Sequence, residues 1–468
     1  MKTDLSHLSH AQKDERIHAL EAQVRLLTEQ LQALQAVVAK LQGQLALNSR
    51  NSSKPPSSDG LNKPKPKSLR TAGQRPSGGQ KGHPGQTLRQ VQEPNVIEQH
   101  MPAEVCDQCQ GSLTGAQVVE TRQVFDIPVV VAQVTEHRVL QARCSCGKLH
   151  RGEFPQHVSA SVQYGPVVKA AMVHLTQQHM LPLQRTTEII GDFFGLNVSQ
   201  AAIIKAVDEA AEHLTPTVES IKQAVQAAPV VGADETGMRV NKKLHWLHVA
   251  VTEYLTVLGC HSKRGQEAFA DLGILPTFQG TLIHDGWRPY KALNCQHGLC
   301  NAHHLRELTY LFEEHGYEWA GKMIALLSYA SYQPNAINGA RLGHMRYAYD
   351  LILDEGLMLC PRVEPQGTRR RVKQSKATNL LLRLREHADD VWRFMADPDV
   401  PFSNNRAEQA VRMPKVKQKV SGGFRTTNGL KSFCIIRSYL ATLQKQGANL
   451  FDALVKTFHY APPQPHFA

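Results

Sequence analysis

The sequence predicts a multidomain α/β protein, and three observations support that prediction. The chain has 468 residues, more than a single domain usually holds. Hydrophobic residues make up 41% of it, which is enough for buried cores. Its first third changes from a heptad pattern to a Pro/Gly/Ser-rich tract and then to paired cysteines, whereas short β-branched runs and helical spacing alternate later. We therefore expect several units in series.

Residues 1–48 predict a coiled-coil oligomerisation helix. Between residues 14 and 47, apolar side chains recur at alternating spacings of three and four: Ile17, Leu20, Val24, Leu27, Leu31, Leu34, Val38, Leu41 and Leu45. This heptad seam mixes β-branched residues and Leu at a, with Leu at every d, which favours a parallel dimer. The alternative is a helix whose seam packs on its own chain.

Residues 49–103 predict a basic, extended arm. Pro, Gly, Ser and Asn dominate the tract, and from Arg50 to Arg89 nine Lys or Arg residues accompany one acid, Asp59. Such a composition cannot bury enough apolar surface to fold alone. The run of like charges favours an arm that follows DNA phosphates over a solvated linker.

Residues 104–155 predict a zinc-binding unit. Four cysteines stand in two close pairs, Cys106 with Cys109 and Cys144 with Cys146. The first pair has the spacing of a zinc knuckle, and the second is one residue tighter. The stretch 118–139 alternates like short strands, which would give a zinc-ribbon-like unit. Four reduced, metal-free thiols are the alternative, and the absence of a secretory signal argues against disulfides.

Residues 156–228 predict helices with a possible helix-turn-helix. Leu183 to Phe194 would form the first helix, and Ser199 would cap a second from Gln200 to Leu214. The second helix opens with few side chains that read bases. Major-groove recognition and structural packing therefore both remain open.

Residues 229–458 have the pattern of an α/β core. The run 229–240 predicts a short buried strand that ends in Asp234, before turn-forming Thr236 and Gly237. Runs at 245–251, 256–260 and 297–301 predict further strands, and the strand 280–285 ends in Asp285. A helix that opens at 404–412 has Glu408 in its first turn. Residues 430–458 predict a helical end, followed by a tail at 459–468.

Asp234, Asp285 and Glu408 predict a divalent-metal site. Three carboxylates can hold two Mg²⁺ or Mn²⁺ ions about 3.5–4 Å apart, and such pairs activate a water or a 3′-hydroxyl against a phosphodiester. An Asp after a strand is often only a turn residue, and Glu408 could instead form a capping box with Asn405. The ordered set of three favours the metal site. A net charge of +12 favours nucleic acid as the partner.

The stretch between Asp285 and Glu408 is too long for one loop, so we expect a helical insertion at about 303–400. Helical spacing covers 303–315, 319–332, 342–359 and 378–395. A loop cluster in it, either solvated or against DNA, contains Arg369, Arg370, Arg371, Lys373 and Lys376. Three residues after a predicted strand are expected near the metal site, against phosphate or behind the ligands: His303, His304 and Arg306.

The segment after Glu408 predicts a DNA-binding surface. From 409 to 444 the chain has no acid, and its first basic residues are Arg412, Lys415, Lys417, Lys419 and Arg425. We expect Arg412 one helical turn beyond Glu408, on the same face. A basic wall beside a carboxylate cluster suits a DNA strand.

Together these motifs resemble transposases of insertion-sequence family 66. The resemblance rests on NSSKPPSSD (51–59), GGQKGHPGQTL (78–88), the two Cys pairs, GADET (232–236), LIHDGWRPY (282–290), CNAHHLRELT (300–309) and NNRAEQAVR (404–412). It implies an RNase-H-like catalytic core with a DDE site for Mg²⁺ or Mn²⁺, and structural Zn²⁺. It further implies cleavage at the element ends and joining of the 3′-hydroxyls to target DNA. The implied partners are terminal inverted repeats, target DNA, a second copy of the chain and accessory proteins of the same element.

Two other functions remain open at this point. One is a nuclease of the same fold that never joins strands, and the other is a zinc-ribbon coiled-coil regulator that binds DNA without catalysis. The acidic triad favours an enzyme. No apolar run reaches 18 residues and the start, MKTDLSHLSH, has no hydrophobic signal region, so we expect a cytoplasmic bacterial protein without a membrane partner.

Overall fold

The structure is a computed structural model that describes residues 9–48, 50–52, 88–127, 132–155, 158–333, 339–365 and 372–467. Most of the predicted basic arm and the predicted cluster Arg369, Arg370 and Arg371 lie outside the described residues. A mixed sheet surrounded by helices confirms the α/β class.

The first element, α1 (His10–Leu45), is the long helix that the heptads predict. Ser9 caps it through a capping box with Gln12. The apolar seam is exposed, from 44% at Val38 to 85% at Leu45, so the described part of the chain does not cover it. The C-terminal end of α1 meets the helical part of the chain beyond the sheet.

That end contacts the helical insertion. The Tyr310 hydroxyl donates to the Gly43 carbonyl at 3.3 Å, and Arg50 forms an ion pair with Glu313. Just beyond the helix, Asn51 is buried, and its side-chain amide donates to the Ala46 carbonyl at 2.9 Å. The last turn of α1 is therefore tied to the insertion.

The zinc-unit region contains one hairpin, β1 (Gln141–Arg143) with β2 (Leu149–Arg151), which flanks the second Cys pair. The strands expected over 118–139 are wrong for the part of that stretch that is described, where no strand forms. Their apolar residues are exposed, as at Val119 (96%) and Val134 (92%). An alternating apolar pattern forms a strand only where a neighbouring strand pairs with it and a hydrophobic core covers its apolar side.

Three helices precede the main sheet: α2 (Pro166–Val173), α3 (Leu183–Phe194) and α4 (Gln200–Ala227). The α3 bounds and the Ser199 cap of α4 agree with the prediction. However, α4 continues past Leu214 and through Pro216 to Ala227. Its buried face belongs to the same core as the sheet, and this packing outweighs the cost of an internal proline.

The main sheet has five strands in the order β5-β4-β3-β6-β7. They are β3 (Val230–Val240), β4 (Lys243–Val251), β5 (Thr256–His261), β6 (Thr281–His284) and β7 (Gln296–Leu299). β4 is antiparallel to both β3 and β5, whereas β6 pairs parallel to β3 and β7 pairs parallel to β6.

The expected end of β3 at Asp234 is wrong, because the strand continues to Val240. Thr236 and Gly237 do not turn but pair with β4. The turn lies instead at Asn241 and Lys242, which both have positive φ (44° and 65°), as a two-residue hairpin requires.

Short helices α5 (Gln266–Leu272) and α6 (Arg288–Lys291) lie on either side of β6 in sequence. The predicted insertion is helical and has its own buried core: α7 (Asn301–His315), α8 (Glu318–Ser331), α9 (Gly339–Leu359), α10 (Lys376–Glu386) and α11 (Ala388–Ala396). The helix expected over 378–395 divides at His387. The chain then forms α12 (Asn405–Ala410), α13 (Arg412–Ser421), α14 (Thr427–Lys445) and α15 (Leu450–Thr457).

Candidate active site

The sheet places Asp234 and Asp285 on adjacent strands. Gly232 of β3 pairs with Ile283 of β6 in a parallel ladder. Two residues beyond this pair, Asp234 lies on β3 and Asp285 directly follows β6, and neighbouring strands lie about 4.8 Å apart. Asp285 begins a tight turn in which its Oδ1 accepts the Trp287 N–H at 2.8 Å. The two carboxylates thus share one end of the parallel pair.

Asp234 is a carboxyl in an unfavourable electrostatic environment. Burial raises its pKa to about 7, and repulsion by Glu235, Asp285 and Glu408 adds to the rise. The N–H of Glu235, which donates to Oδ1 at 2.8 Å, opposes the rise only in part. The two other predicted ligands are therefore close enough to act on Asp234. A bound cation would relieve this repulsion.

Helix α12 brings Glu408 to the same end of the sheet. Its N-cap is Asn404, whose side-chain amide donates to the Ala233 carbonyl of β3 at 2.7 Å. A Cβ at Gly232 would lie 2.5 Å from Asn404 Oδ1, so glycine permits this close approach. The capping box considered for Asn405 and Glu408 is not formed, because Asn405 is already inside the helix and Asn404 bonds elsewhere.

The Glu408 carboxylate faces the first turns of α7. Its Oε1 lies 3.8 Å from Cys300 Sγ and 3.7 Å from His303 Nδ1, and its Oε2 lies 3.5 Å from Arg306 Nη2. Burial raises the pKa of the Cys300 thiol to about 11, so the thiol is a neutral donor to Glu408. His303 and Arg306 thus lie beside Glu408. His304 is instead buried against Asn301, with Nδ1 3.1 Å from Oδ1.

Within the described ranges, Cys300, His303 and Glu408 are the one group whose potential ligand atoms all lie within 4.8 Å of one another. Asp234, Asp285 and Glu408 do not form such a group. The carboxylate oxygens nevertheless fit Mg²⁺ or Mn²⁺ better than the thiol and imidazole do.

Sequence reasoning missed Glu235 and its partners. The Glu235 side chain is only 2% exposed, and its neighbours are Arg264 and Tyr290. Arg264 donates to Oε1 from Nε at 2.9 Å and from Nη2 at 2.5 Å, and the Tyr290 hydroxyl donates to Oε2. Burial raises the pKa of Glu235, whereas the bonds from Tyr290 and Arg264 lower it. The signal available in the sequence was the pair of consecutive acids, Asp234 and Glu235, in a buried strand. Adjacent side chains of a strand face opposite sides of the sheet, so Glu235 has to face away from Asp234.

The predicted basic wall after Glu408 is only partly exposed. Arg412, Lys419 and Arg425 are exposed. Lys417 is 8% exposed, and burial lowers its pKa, while Lys415 Nζ donates to the Gly237 carbonyl at 2.8 Å. These two lysines pack α13 on β3, which a charge count cannot reveal. The helix is also interrupted between α12 and α13, so Arg412 begins a new helix rather than continuing that of Glu408.

The two Cys pairs form turns suited to thiolates. Backbone N–H groups of Cys109 and Gln108 lower the pKa of Cys106, and that of Cys146 lowers the pKa of Cys144. Among the described residues, no three of the four thiols lie within reach of one ion. The donor chemistry of these turns fits Zn²⁺, which binds thiolates.

Comparison with known families covers most of the chain. Residues 161–432 match the Transposase IS66 family, and residues 103–147 match the zinc-finger binding domain of transposase IS66. Residues 7–89 match a family of unknown function. No curated protein sequence matches the chain. In the described ranges, no helix is both long and apolar enough to cross a membrane.

These matches confirm the resemblance seen in the sequence motifs. The zinc-finger match supports structural zinc, and both transposase matches imply that the protein binds DNA. The match at 161–432 includes the sheet, the helical insertion and all three carboxylates of the candidate site, and it spans more than half of the 468 residues. The chain therefore belongs to the IS66 family of transposases.

Proposed function

We propose that this transposase is a DDE enzyme that cleaves the ends of an insertion sequence and joins the freed 3′-hydroxyls to target DNA. The main support is the convergence of Asp234, Asp285 and Glu408. Two adjacent parallel strands and one helix supply these residues, and the charges of Asp285 and Glu408 raise the pKa of Asp234. Acids from three separate elements that influence one another in this way would suit a catalytic site.

The strand arrangement supports an RNase-H-like core. Three antiparallel strands are extended on the β3 side by two strands parallel to β3, and a helical insertion separates β7 from α12. In this arrangement the first and fourth strands of the core each provide one aspartate. The last acid comes from a helix that packs on the first strand.

Asp234, Asp285 and Glu408 would hold two Mg²⁺ or Mn²⁺ ions. When bound, such a pair activates the attacking oxygen and stabilises charge on the leaving oxygen. The residues of the chain itself orient the ligands: the Trp287 N–H holds Asp285, the Glu235 N–H holds Asp234, and Arg306 lies against Glu408. Asp234 has to lose its proton before it can act as a ligand, because its pKa is near 7.

The exposed cations would hold DNA beside these carboxylates. Arg412, Lys419 and Arg425 lie on or just after α13, the helix that follows Glu408. The basic arm at 49–103 and the zinc unit at 104–155 would add contacts to the element ends. Pairing of two chains through residues 1–48 would bring two ends together.

The decisive test is Glu408→Gln, because glutamine preserves the size of the side chain and removes its charge. Cleavage of element-end DNA in Mg²⁺ should fall by orders of magnitude, while a mobility shift on the same DNA keeps its strength and salt dependence. Glu253→Gln is the matched control, since Glu253 is exposed and its carboxylate pairs with Arg406, 3.0 Å away. The control should cleave at the wild-type rate.

Three outcomes would contradict parts of this proposal. A Glu408→Gln protein that cuts at nearly the wild-type rate would remove Glu408 from the site. Wild-type protein that cuts but never joins 3′-ends to a second DNA would be a nuclease. Wild-type protein that binds DNA and does not cut it in Mg²⁺ or Mn²⁺ would support the regulator instead.

A further inference from the structure

Each aspartate of the candidate site is fixed by a backbone N–H close after it in the chain. Glu235 donates its N–H to Asp234, and Trp287 donates its N–H to Asp285, both at 2.8 Å. The residues that hold the two aspartates therefore set the directions of both carboxylates. The side chains of these two residues, Glu235 and Trp287, are connected as well.

Arg264 joins those two side chains. It lies in the loop between β5 and α5, and its guanidinium donates twice to the Glu235 carboxylate, at 2.5 and 2.9 Å. The same guanidinium stacks 4.0 Å from the centre of the Trp287 ring, and its other neighbour is the Trp246 ring at 4.7 Å. The contacts thus run without a gap from Asp234 through Glu235, Arg264 and Trp287 to Asp285. We call these five residues the bracket.

Glu235 is the buried end of the ion pair, whereas the Arg264 side chain is 38% exposed. Glu235 is 2% exposed, and its second oxygen accepts the hydroxyl of Tyr290, which is itself 1% exposed. Tyr290 lies on α6, so it provides a second link between β3 and the turn after β6. A buried carboxylate with both oxygens bonded has one orientation, because any other would leave a buried charge unpaired.

Glu235 and Asp234 lie on opposite faces of the sheet. Side chains alternate along β3, so Glu235 faces away from Asp234 and from α12. Glu235 therefore does not occupy the side of Asp234 that faces α12. The two aspartates repel each other, and Mg²⁺ demands near-ideal octahedral geometry, so their spacing has to be held from behind.

From these contacts we infer that Arg264 is a positioning residue for the metal site, which it serves by tying Glu235 to Trp287. The inference rests on the proposed function, since it concerns the same two aspartates. Lysine cannot replace Arg264, because an ammonium group neither forks onto a carboxylate nor stacks as a plane between two indoles. Residues that orient metal ligands typically change metal affinity roughly 10- to 100-fold when substituted.

The experiment measures Mn²⁺ binding to the full-length protein by electron paramagnetic resonance, without DNA. Arg264→Lys should weaken Mn²⁺ binding by roughly 10- to 100-fold, and higher Mn²⁺ should restore much of the cleavage rate. Mobility shifts on element-end DNA should not change. Arg346→Lys is the matched control, because Arg346 donates to Asp389 at 2.8 Å within the insertion. Asp234→Asn should abolish the site.

The outcomes separate this inference from the proposed function. Wild-type protein that binds no Mn²⁺ would overturn both. If Asp234→Asn abolishes Mn²⁺ binding and Arg264→Lys leaves it unchanged, the positioning role of Arg264 alone is overturned. The same conclusion follows if Arg264→Lys lowers the melting temperature but keeps wild-type Mn²⁺ affinity. If Arg264→Lys does not fold, Trp287→Phe keeps the ion pair and the backbone N–H but shrinks the stacking surface. Unchanged Mn²⁺ affinity in that variant would also overturn the bracket.

Discussion

The two ends of the molecule differ in where they bury their side chains. Among the described residues from 9 to 155, Asn51 alone is buried, whereas residues 158–467 contain three hydrophobic cores. The N-terminal part nevertheless has the sharper sequence patterns, with its heptads and cysteine pairs. We expect those patterns to specify contacts with a second chain or a metal, whereas the C-terminal patterns specify contacts within the chain. Variants in the two parts should therefore fail in different ways.

Loss of the cysteine ligands should show the largest effect. Cys106→Ser should release about one equivalent of zinc per chain and loosen residues 104–155, because structural zinc contributes on the order of 10 kcal/mol to the folding of small units. Zinc content and limited proteolysis measure this, and the melting temperature of the C-terminal core should not change. Cys295→Ser is the control, since Cys295 lies outside both pairs.

Unchanged zinc content in Cys106→Ser would mean that this thiol is not a ligand. A parallel fall in the melting temperature of the core would contradict the comparison itself, because it would show that the two parts fold as one unit.

The second effect concerns association through α1. Leu31→Lys should weaken dimerisation by about 100-fold or more, because each buried Leu contributes roughly 1.5–3 kcal/mol and a dimer loses two. Sedimentation of the full-length chain measures the change. Gln32→Lys adds the same charge beside the seam and should leave the mass unchanged. A wild-type chain that stays monomeric at tens of micromolar, on the order used for such tests, would show that the seam has another partner.

The smallest effect comes from Asp234 and depends on pH. Its folded pKa of about 7 lies above the unfolded value of about 3.9, so the folded state keeps a proton that the unfolded state has lost. Stability from this group is therefore present at low pH and is lost as pH rises from about 4 to about 7. Without metal, Asp234→Asn should match the wild type near pH 4 and melt several degrees higher at pH 8.

Thermal melts at the two pH values test this expectation, with Asp271→Asn, an exposed acid, as the control. Equal melting temperatures for Asp234→Asn and wild type at pH 8 would show that the ionised Asp234 carboxylate does not destabilise the folded state. Added Mn²⁺ should stabilise the wild type and leave Asp234→Asn unchanged.

The sequence predicted those helices and strands whose bounds depend on local patterns of residues. The bounds of α3, the start of α4 and the core strands follow from periodicity and capping, and the three acids stand out because two follow apolar runs and the third lies in the first turn of a helix. Periodicity does not reveal which partner completes a pattern. Residues 118–139 alternate without a sheet, and β3 passes through a turn signal because β4 pairs with it.

The rest of the site depends on contacts between distant segments. Arg264 reaches Glu235 across 29 positions of sequence, and nothing near either residue indicates the pair. The sequence does not reveal the burial of Lys417 either. That burial follows from the packing of α13 on β3, which leaves this lysine unavailable to DNA.

Helix α7 has one further consequence. Its first turn approaches Glu408 through His303, and its last turns hold the end of α1 through Tyr310. His303 and Tyr310 are seven helical residues apart, a rise of about 10 Å, so α7 sets the distance between Glu408 and the C-terminal end of α1. In a pair of chains joined through α1, the two α7 helices would therefore fix the distance between the two candidate active sites. One added turn in α7 would lengthen that span without altering any side chain at either end.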